Sequence, residues 1–179
     1  MRHSMKIRLS DTNDQQAICT VHHSAFGGEE RNSIVELTMN FLSQPSDYFA
    51  LSFVAEEKGI VVGHTIFSEI KLKEHSMKAF ILAPLAVLPS NQNMGVGKSL
   101  VKHGLNYLAS QGTELIFVYG DPAYYSRFGF RTEQSDLFVP PYKLQYPYGW
   151  QYLQFNNSSL PSAPVHLSCA PPLRKAELW

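Results

Sequence analysis

The fold of this chain is decided by one central stretch, Leu85-Ala86-Val87-Leu88-Pro89-Ser90-Asn91-Gln92-Asn93-Met94-Gly95-Val96-Gly97-Lys98-Ser99. Its apolar start predicts the end of a β-strand, and a polar loop then leads to Gly95 and Gly97. Glycine adopts backbone angles closed to other residues, so successive amide N–H groups can converge on one point. The helix that begins here adds unpaired N–H donors and the positive end of its dipole. The stretch therefore predicts an anion site.

Two other phosphate-binding motifs resemble this loop, and each fails at one position. Gly97-Lys98-Ser99 would end a P-loop, but that motif needs a glycine where this chain has Gln92. The dinucleotide fingerprint needs a third glycine where this chain has Leu100. The pattern argues against a nucleotide hydrolase and against hydride transfer.

The N-terminal third predicts one short strand and two helices. Residues 6–9 form the strand, and Asp11 caps the first helix. Ser33 to Glu36 has the form of a capping box that opens the second helix, which ends before Pro45.

The residues on either side of the loop predict a mixed sheet. Runs at 48–55, 60–70 and 78–88 predict an antiparallel meander, interrupted near Pro84 because proline has no N–H for the ladder. Strand 115–119 follows one helix after the loop, so it pairs in parallel with 78–88. The fold class is α/β.

Two motifs together resemble a known family. Residues 92–97 read Q-x-x-G-x-G, and Ala123 to Phe130, about thirty residues later, read A-Y-Y-S-R-F-G-F, a form of A-[FY]-Y-x-x-x-G-F in which Tyr125 stands four residues before Gly129. In both motifs the chain resembles the GNAT superfamily of N-acetyltransferases, and in particular a little-characterised branch of predicted bacterial acetyltransferases. The resemblance covers roughly residues 5–131, most strongly 80–130. One departure is Asp121, where many members carry an Asn associated with holding the pantetheine arm.

The resemblance implies a fold in which acetyl-CoA lies as a surrogate strand between two splayed parallel strands. It implies one domain over 1–179, with a core at about 5–131 and a C-terminal extension at 132–179. It also implies these cofactor-binding residues: Leu85, Ala86, Val87, Gln92, Asn93, Met94, Gly95, Val96, Gly97, Lys98 and Ser99.

Tyr125 matches the tyrosine that in this family lies near the sulfur and serves as general acid. A phenol has a pKa near 10 and a thiol one near 8.5, so proton transfer to the thiolate is uphill unless the site lowers the phenol pKa. Tyr124 is about 100° away on the helix, so only one of the two is expected to face the sulfur. The alternative is that both rings only pack between helix and sheet.

No general base stands out in the sequence. The candidates are ordinary surface or strand residues, and a water relay to a distant carboxylate is equally open: Glu29, Glu30, His64, Glu69 and His75.

Three residues of the first helix, Cys19, His22 and His23, share a face and could be ligands. No fourth ligand has recognisable spacing, so the sequence predicts a buried cysteine, exposed histidines and no metal.

Composition excludes several classes of function. Fifteen basic residues balance fifteen acidic ones, so no overall positive charge attracts nucleic acid or an anionic membrane. The longest apolar run, 79–89, is too short for a bilayer span, and the N-terminus lacks a secretory signal. Two cysteines do not make a disulfide framework. A cytoplasmic location is expected.

The C-terminal extension is rich in proline and aromatic residues. It either completes the sheet or covers and lines the acceptor site, and an interface between subunits of a homodimer is a further alternative. The predicted function is transfer of an acetyl group from acetyl-CoA to a primary amine of a small molecule or protein, by direct attack through a tetrahedral intermediate. The alternative is a non-catalytic acyl-CoA-binding regulatory module.

Overall fold

The computed structural model describes residues 5–43, 47–157 and 159–179. Its strands are β1 (Lys6–Leu9), β2 (Ala50–Glu57), β3 (Ile60–Leu72), β4 (Ala79–Val87), β5 (Leu115–Tyr119), β6 (Phe138–Val139), β7 (Trp150–Gln154) and β8 (Val165–Cys169). Its helices are α1 (Gln15–Ala25), α2 (Gly28–Ser43), α3 (Val96–Ser110) and α4 (Pro122–Tyr125). No helix among these residues is both long and apolar enough to cross a membrane.

The strands form a mixed sheet, which confirms the predicted fold class. Their hydrogen-bonded order is β1-β2-β3-β4-β5-β7, and β8 pairs with β3 and β6. The predicted parallel pair is β4 with β5, in register from Ala79 opposite Leu115 to Leu82 opposite Val118. Beyond that register β4 runs on through Pro84, which has no N–H to donate.

The β2–β3 connection is a two-residue turn. Lys58 and Gly59 have φ angles of 52° and 79°. Two successive left-handed residues are typical of a type I′ turn, whose twist matches that of the strands. This turn lets β2 run to Glu57, two residues beyond the predicted end.

The chain divides into two compact units, and the first takes in 1–45, 50–67 and 84–106. Neighbouring residues of β2 point to opposite faces. Val54 packs with Ile18 and Val21 of α1, while the Phe53 ring lies 5.1 Å from that of His103 in α3. In this unit the β2–β3 hairpin therefore carries α1 on one face and α3 on the other.

The second unit takes in 46–49, 68–83 and 107–179. Phe117 of β5 is fully buried. Its ring stacks on Trp150 at 5.3 Å and meets Phe138 edge-on at 5.0 Å. Cys169 is also buried here, and burial raises the pKa of its thiol to about 11.

The predicted start of the second helix is wrong. α2 begins at Gly28, and Ser33 lies inside it. Glu29 and Glu30 occupy the first turn, where the positive end of the helix dipole stabilises carboxylates. The helix ends at Ser43, and Pro45 lies outside the described residues.

Candidate active site

The loop after β4 is shaped by its own hydrogen bonds. The Gln92 Nε2 donates to the Val87 carbonyl at 3.1 Å. The Asn91 Nδ2 donates to the Glu57 carboxylate at 3.2 Å, and the Asn91 backbone N–H donates to the Leu88 carbonyl at 2.8 Å. The loop conformation therefore needs no ligand to hold it.

The end of the loop exposes backbone donors. Asn93 and Gly95 are left-handed, with φ angles of 61° and 86°, and a Cβ added at Gly95 would meet no atom within 4 Å. The Ser99 N–H donates to the Gly95 carbonyl at 3.0 Å. The amides of residues 96–98 precede it in the first turn of α3, where a helix leaves its N–H groups unpaired. This open arrangement of donors fits a diphosphate.

The start of α3 is anchored to the sheet. Val96 is buried, at 2% exposure. A Cβ at Gly63 of β3 would come within 2.8 Å of Val96 Cγ1 and 3.0 Å of Leu100 Cδ1, so glycine at this position lets the helix lie close to the strand. Packing thus fixes where the donors point, while Lys98 is exposed beside them.

The strand end that leads to the loop is partly accessible. Leu85 and Val87 are half-buried on either side of buried Ala86. The Thr65 hydroxyl donates to the Pro84 carbonyl at 3.0 Å, which occupies one acceptor of this segment. The structure therefore brings every predicted cofactor-binding residue into one continuous strand, loop and helix of the first unit.

Tyr125 belongs to the second unit and ends α4. Asp121 caps this short helix, because its Oδ1 accepts a hydrogen bond from the Ala123 N–H at 2.9 Å. A Cβ at Gly120 would lie 2.7 Å from Tyr125 Cε2, so glycine makes room for the ring. The Tyr124 and Phe130 rings pack against it at 4.9 and 5.8 Å.

The two tyrosines differ in electrostatics. Burial raises the pKa of the Tyr125 phenol well above 10, and the neighbouring Tyr124 adds to the shift. Burial also raises the pKa of Tyr124, but Arg127, whose guanidinium lies 4.6 Å from the centre of that ring, opposes the shift. Tyr125 therefore keeps its proton at neutral pH.

A buried histidine pair is the main feature that the sequence did not indicate. His64 of β3 is fully buried, with Nδ1 2.8 Å from His22 Nε2 and Nε2 2.8 Å from the Ser52 hydroxyl. The Ser10 hydroxyl donates to that of Ser52 at 2.6 Å. Burial lowers the pKa of His22 to about 4 and holds that of His64 well below 6.5. Both imidazoles are neutral at pH 7.

The predicted burial of Cys19 and the predicted exposure of His22 in α1 need correction. Cys19 is half-buried and His22 is fully buried, while only His23 is exposed. His22 follows Ile18 by four residues, so both lie on the face that packs against the sheet. This four-residue spacing from Ile18 is the sequence pattern that could have predicted the burial of His22. Among the described residues, no group of three His, Cys, Asp or Glu side chains is placed to hold a metal ion.

The other base candidates show no distinguishing environment. Glu29 and Glu30 are exposed on the first turn of α2, Glu69 is half-buried on β3, and His75 is exposed beyond that strand. The structure singles out none of them as a base.

Comparison with known proteins agrees with this architecture. Residues 6–132 match the family described as Acetyltransferase (GNAT) domain. The chain is 32% identical over 174 residues to the uncharacterised N-acetyltransferase YjhQ of Escherichia coli K12, covering 95% of this chain and 94% of that protein. The chain therefore belongs to the GNAT acetyltransferase family.

Two solved structures extend the comparison. The crystal structure of the GNAT family N-acetyltransferase YhbS from Escherichia coli, in complex with CoA, has a TM-score of 0.86 at 22% identity, covering 98% of this chain and 94% of that one. A GNAT family acetyltransferase from Brucella melitensis, in complex with acetyl-CoA, has a TM-score of 0.70 at 28% identity, covering 92% and 96%.

Proposed function

We propose that this chain transfers the acetyl group of acetyl-CoA to a primary amine of a small molecule or protein, by direct attack of the amine. The observation that carries the proposal is the loop at 92–99, whose left-handed Gly95 and first-turn amides form an open set of donors. The acetyl-CoA complex of the Brucella melitensis relative supports the choice of cofactor. In this proposal residues 1–179 act as one N-acetyltransferase domain.

The first unit binds the cofactor. The amides of residues 96–98 hold its diphosphate, and Lys98 adds a positive charge beside them. The backbone of Leu85 to Val87 hydrogen-bonds the amides of the pantetheine arm, and one of these N–H groups polarises the thioester carbonyl. Acetyl-CoA supplies, when bound, an activated acetyl group and a thiolate leaving group.

Tyr125 donates a hydrogen bond to the leaving sulfur. Since its phenol pKa is raised by burial, the proton is present over the whole physiological range. Full transfer to a thiolate whose conjugate acid has a pKa near 8.5 is uphill. Tyr125 therefore stabilises the developing charge on sulfur and does not neutralise it outright.

The test is release of free CoA thiol from acetyl-CoA across a panel of amines. Amine-dependent, saturable release supports the transferase. Saturable CoA binding with no release for any amine would instead identify a non-catalytic acyl-CoA-binding module.

A further inference from the structure

A pocket of about 340 Å³ lies at the carboxyl end of β5, inside the second unit. It is lined by Tyr119, Gly120, Asp121, Tyr146, Tyr148 and Gly149. None of the family motifs includes the Tyr146–Gly149 side of this pocket. Ligands of open α/β sheets bind outside the carboxyl ends of their strands, which makes the position suitable for a substrate.

The two walls of the pocket are tied together by direct hydrogen bonds. The Gly120 N–H donates to the Gly149 carbonyl at 2.9 Å, and the Tyr146 N–H donates to the Tyr119 hydroxyl at 2.8 Å. Beneath them, Gln151 Nε2 donates to the Gly120 carbonyl at 3.1 Å. A Cβ at Gly149 would lie 3.0 Å from the Gly120 oxygen, so the walls approach as closely as backbone allows. These contacts hold the two walls together, so the shape of the pocket is set before a ligand binds.

Its lining favours a cation. Tyr146 and Tyr148, which line the pocket, are 50% and 68% exposed, with ring centres 5.9 Å apart, so both rings are accessible to a ligand. Asp121 adds an exposed carboxylate whose orientation is fixed by its hydrogen bond to Ala123. The lining contains no Lys, Arg or His. Aromatic rings beside a carboxylate attract ammonium groups through cation–π and Coulomb interactions.

The pocket shares a residue with the tyrosine site. Gly120 forms part of its wall, and the Tyr125 ring lies where a Cβ on Gly120 would have to be. A molecule in the pocket is therefore close to the helix that carries Tyr125, the proposed hydrogen-bond donor to the sulfur.

We propose that this pocket binds a second, non-reacting cationic group of the acceptor, so that the substrate is a primary amine with another ammonium group, such as a diamine. This inference rests on the proposed acetyl transfer. The reacting nitrogen must be uncharged to attack, so the cation held by Asp121 and the tyrosines is a different group on the same molecule.

The test compares 1,4-diaminobutane with n-butylamine, which has the same carbon chain and one amine. The wild-type protein is expected to prefer the diamine in kcat/KM by at least about tenfold. Asp121→Asn removes the charge but keeps an oxygen that can accept from the Ala123 N–H, and Tyr148→Ala removes one ring. Each should lower the diamine preference about fivefold or more. Phe49→Ala, which removes a 57% exposed ring outside the pocket, should leave the preference unchanged.

A binding measurement separates this proposal from the reaction itself. Calorimetry of 1,4-diaminobutane with the wild-type protein and with Asp121→Asn needs no turnover. Weaker binding to the variant, without CoA release from any amine, would support the pocket and overturn acetyl transfer. Equal turnover of both amines in wild type and in both pocket variants would overturn the pocket and leave acetyl transfer standing.

Discussion

Adjacent Tyr124 and Tyr125 form a matched pair at the end of α4. Their ring centres are 4.9 Å apart, but only Tyr125 lies against Gly120. Tyr125→Phe removes the proposed donor while keeping the ring, so kcat for acetyl transfer should fall at least about tenfold with CoA affinity nearly unchanged. Tyr124→Phe is the control and should retain kcat. Steady-state kinetics of CoA release check both, and wild-type kcat in Tyr125→Phe would remove this residue from the mechanism.

Gly95 and Gly112 allow the proposed diphosphate site at residues 95–98 to be tested against a control of similar backbone strain. Both are left-handed, with φ angles of 86° and 75°, and neither has an atom within 4 Å of an added Cβ. Alanine at either position should lower the free energy of unfolding by about 1 kcal/mol. Only Gly95→Ala places a methyl group where the diphosphate approaches, so it alone should weaken CoA binding by at least about tenfold. Similar CoA affinities of the two variants, measured by calorimetry, would contradict diphosphate binding at residues 95–98.

Single residues also show where sequence reasoning reaches its limit. The loop residues 92–99 were recognisable because their spacing is local. The contact between His22 and His64 joins residues 42 apart in the chain, and no local pattern encodes it. The two walls of the pocket lined by Tyr119–Asp121 and Tyr146–Gly149 are also distant in sequence, so the pocket could be found only from the structure.

At the scale of elements, a glycine in α3 allows this helix to pack closely against β3. A Cβ at Gly104 would overlap the Phe67 ring of β3. Gly104→Ala should therefore destabilise the protein by about 1–3 kcal/mol through overpacking, although alanine is the better helix former by about 1 kcal/mol. Lys102→Ala, on the exposed face of the same helix, should have little effect. Urea unfolding measures both, and a stabilised Gly104→Ala would contradict the close packing.

The elements with a clear local signal were predicted well. β1 and β5 have the predicted bounds, since polar and apolar residues alternate along β1 and turn residues flank the apolar run of β5. Asp121 and Pro122 open α4 as expected. The start of α2 was predicted wrongly because the sequence offers two helix start signals within six residues. The helix begins at Gly28 with Glu29 and Glu30 in its first turn, and not at the predicted capping box that opens with Ser33. The C-terminal strands β6 to β8 had no clear local signal, since pairing with distant residues stabilises them: β7 pairs with β5, β8 with β3, and β6 with β8.

At the scale of the molecule, the buried histidines make stability depend on pH. The unfolded chain binds protons on His22 and His64 near pH 6.5, whereas burial lowers their folded pKa values. The unfolded state thus gains protons first on acidification, and the free energy of unfolding should fall as the pH drops below about 6.5. His22, with a folded pKa of about 4, contributes a loss of about 3 kcal/mol by pH 4.

Urea unfolding between pH 4 and 7 measures this dependence. Asp14 also faces His64, but Arg8 lowers the pKa of that carboxyl, so its contribution is lost only in stronger acid. His22→Gln should flatten the profile between pH 4 and 6.5, while exposed His23→Gln should leave it as in wild type. Identical profiles for all three proteins would show that His22 carries no such linkage.

The burial of Cys169 has a practical consequence for colorimetric assays. A chromogenic disulfide that reports released CoA also reacts with protein thiolates, and reaction requires both access and ionisation. Cys169 is sealed in the interior with a thiol pKa of about 11, while Cys19 is partly open. The native protein should thus consume one equivalent of reagent quickly and a second only in denaturant. Replacing Cys19 by serine would then give a nearly colourless blank against which slow turnover becomes readable.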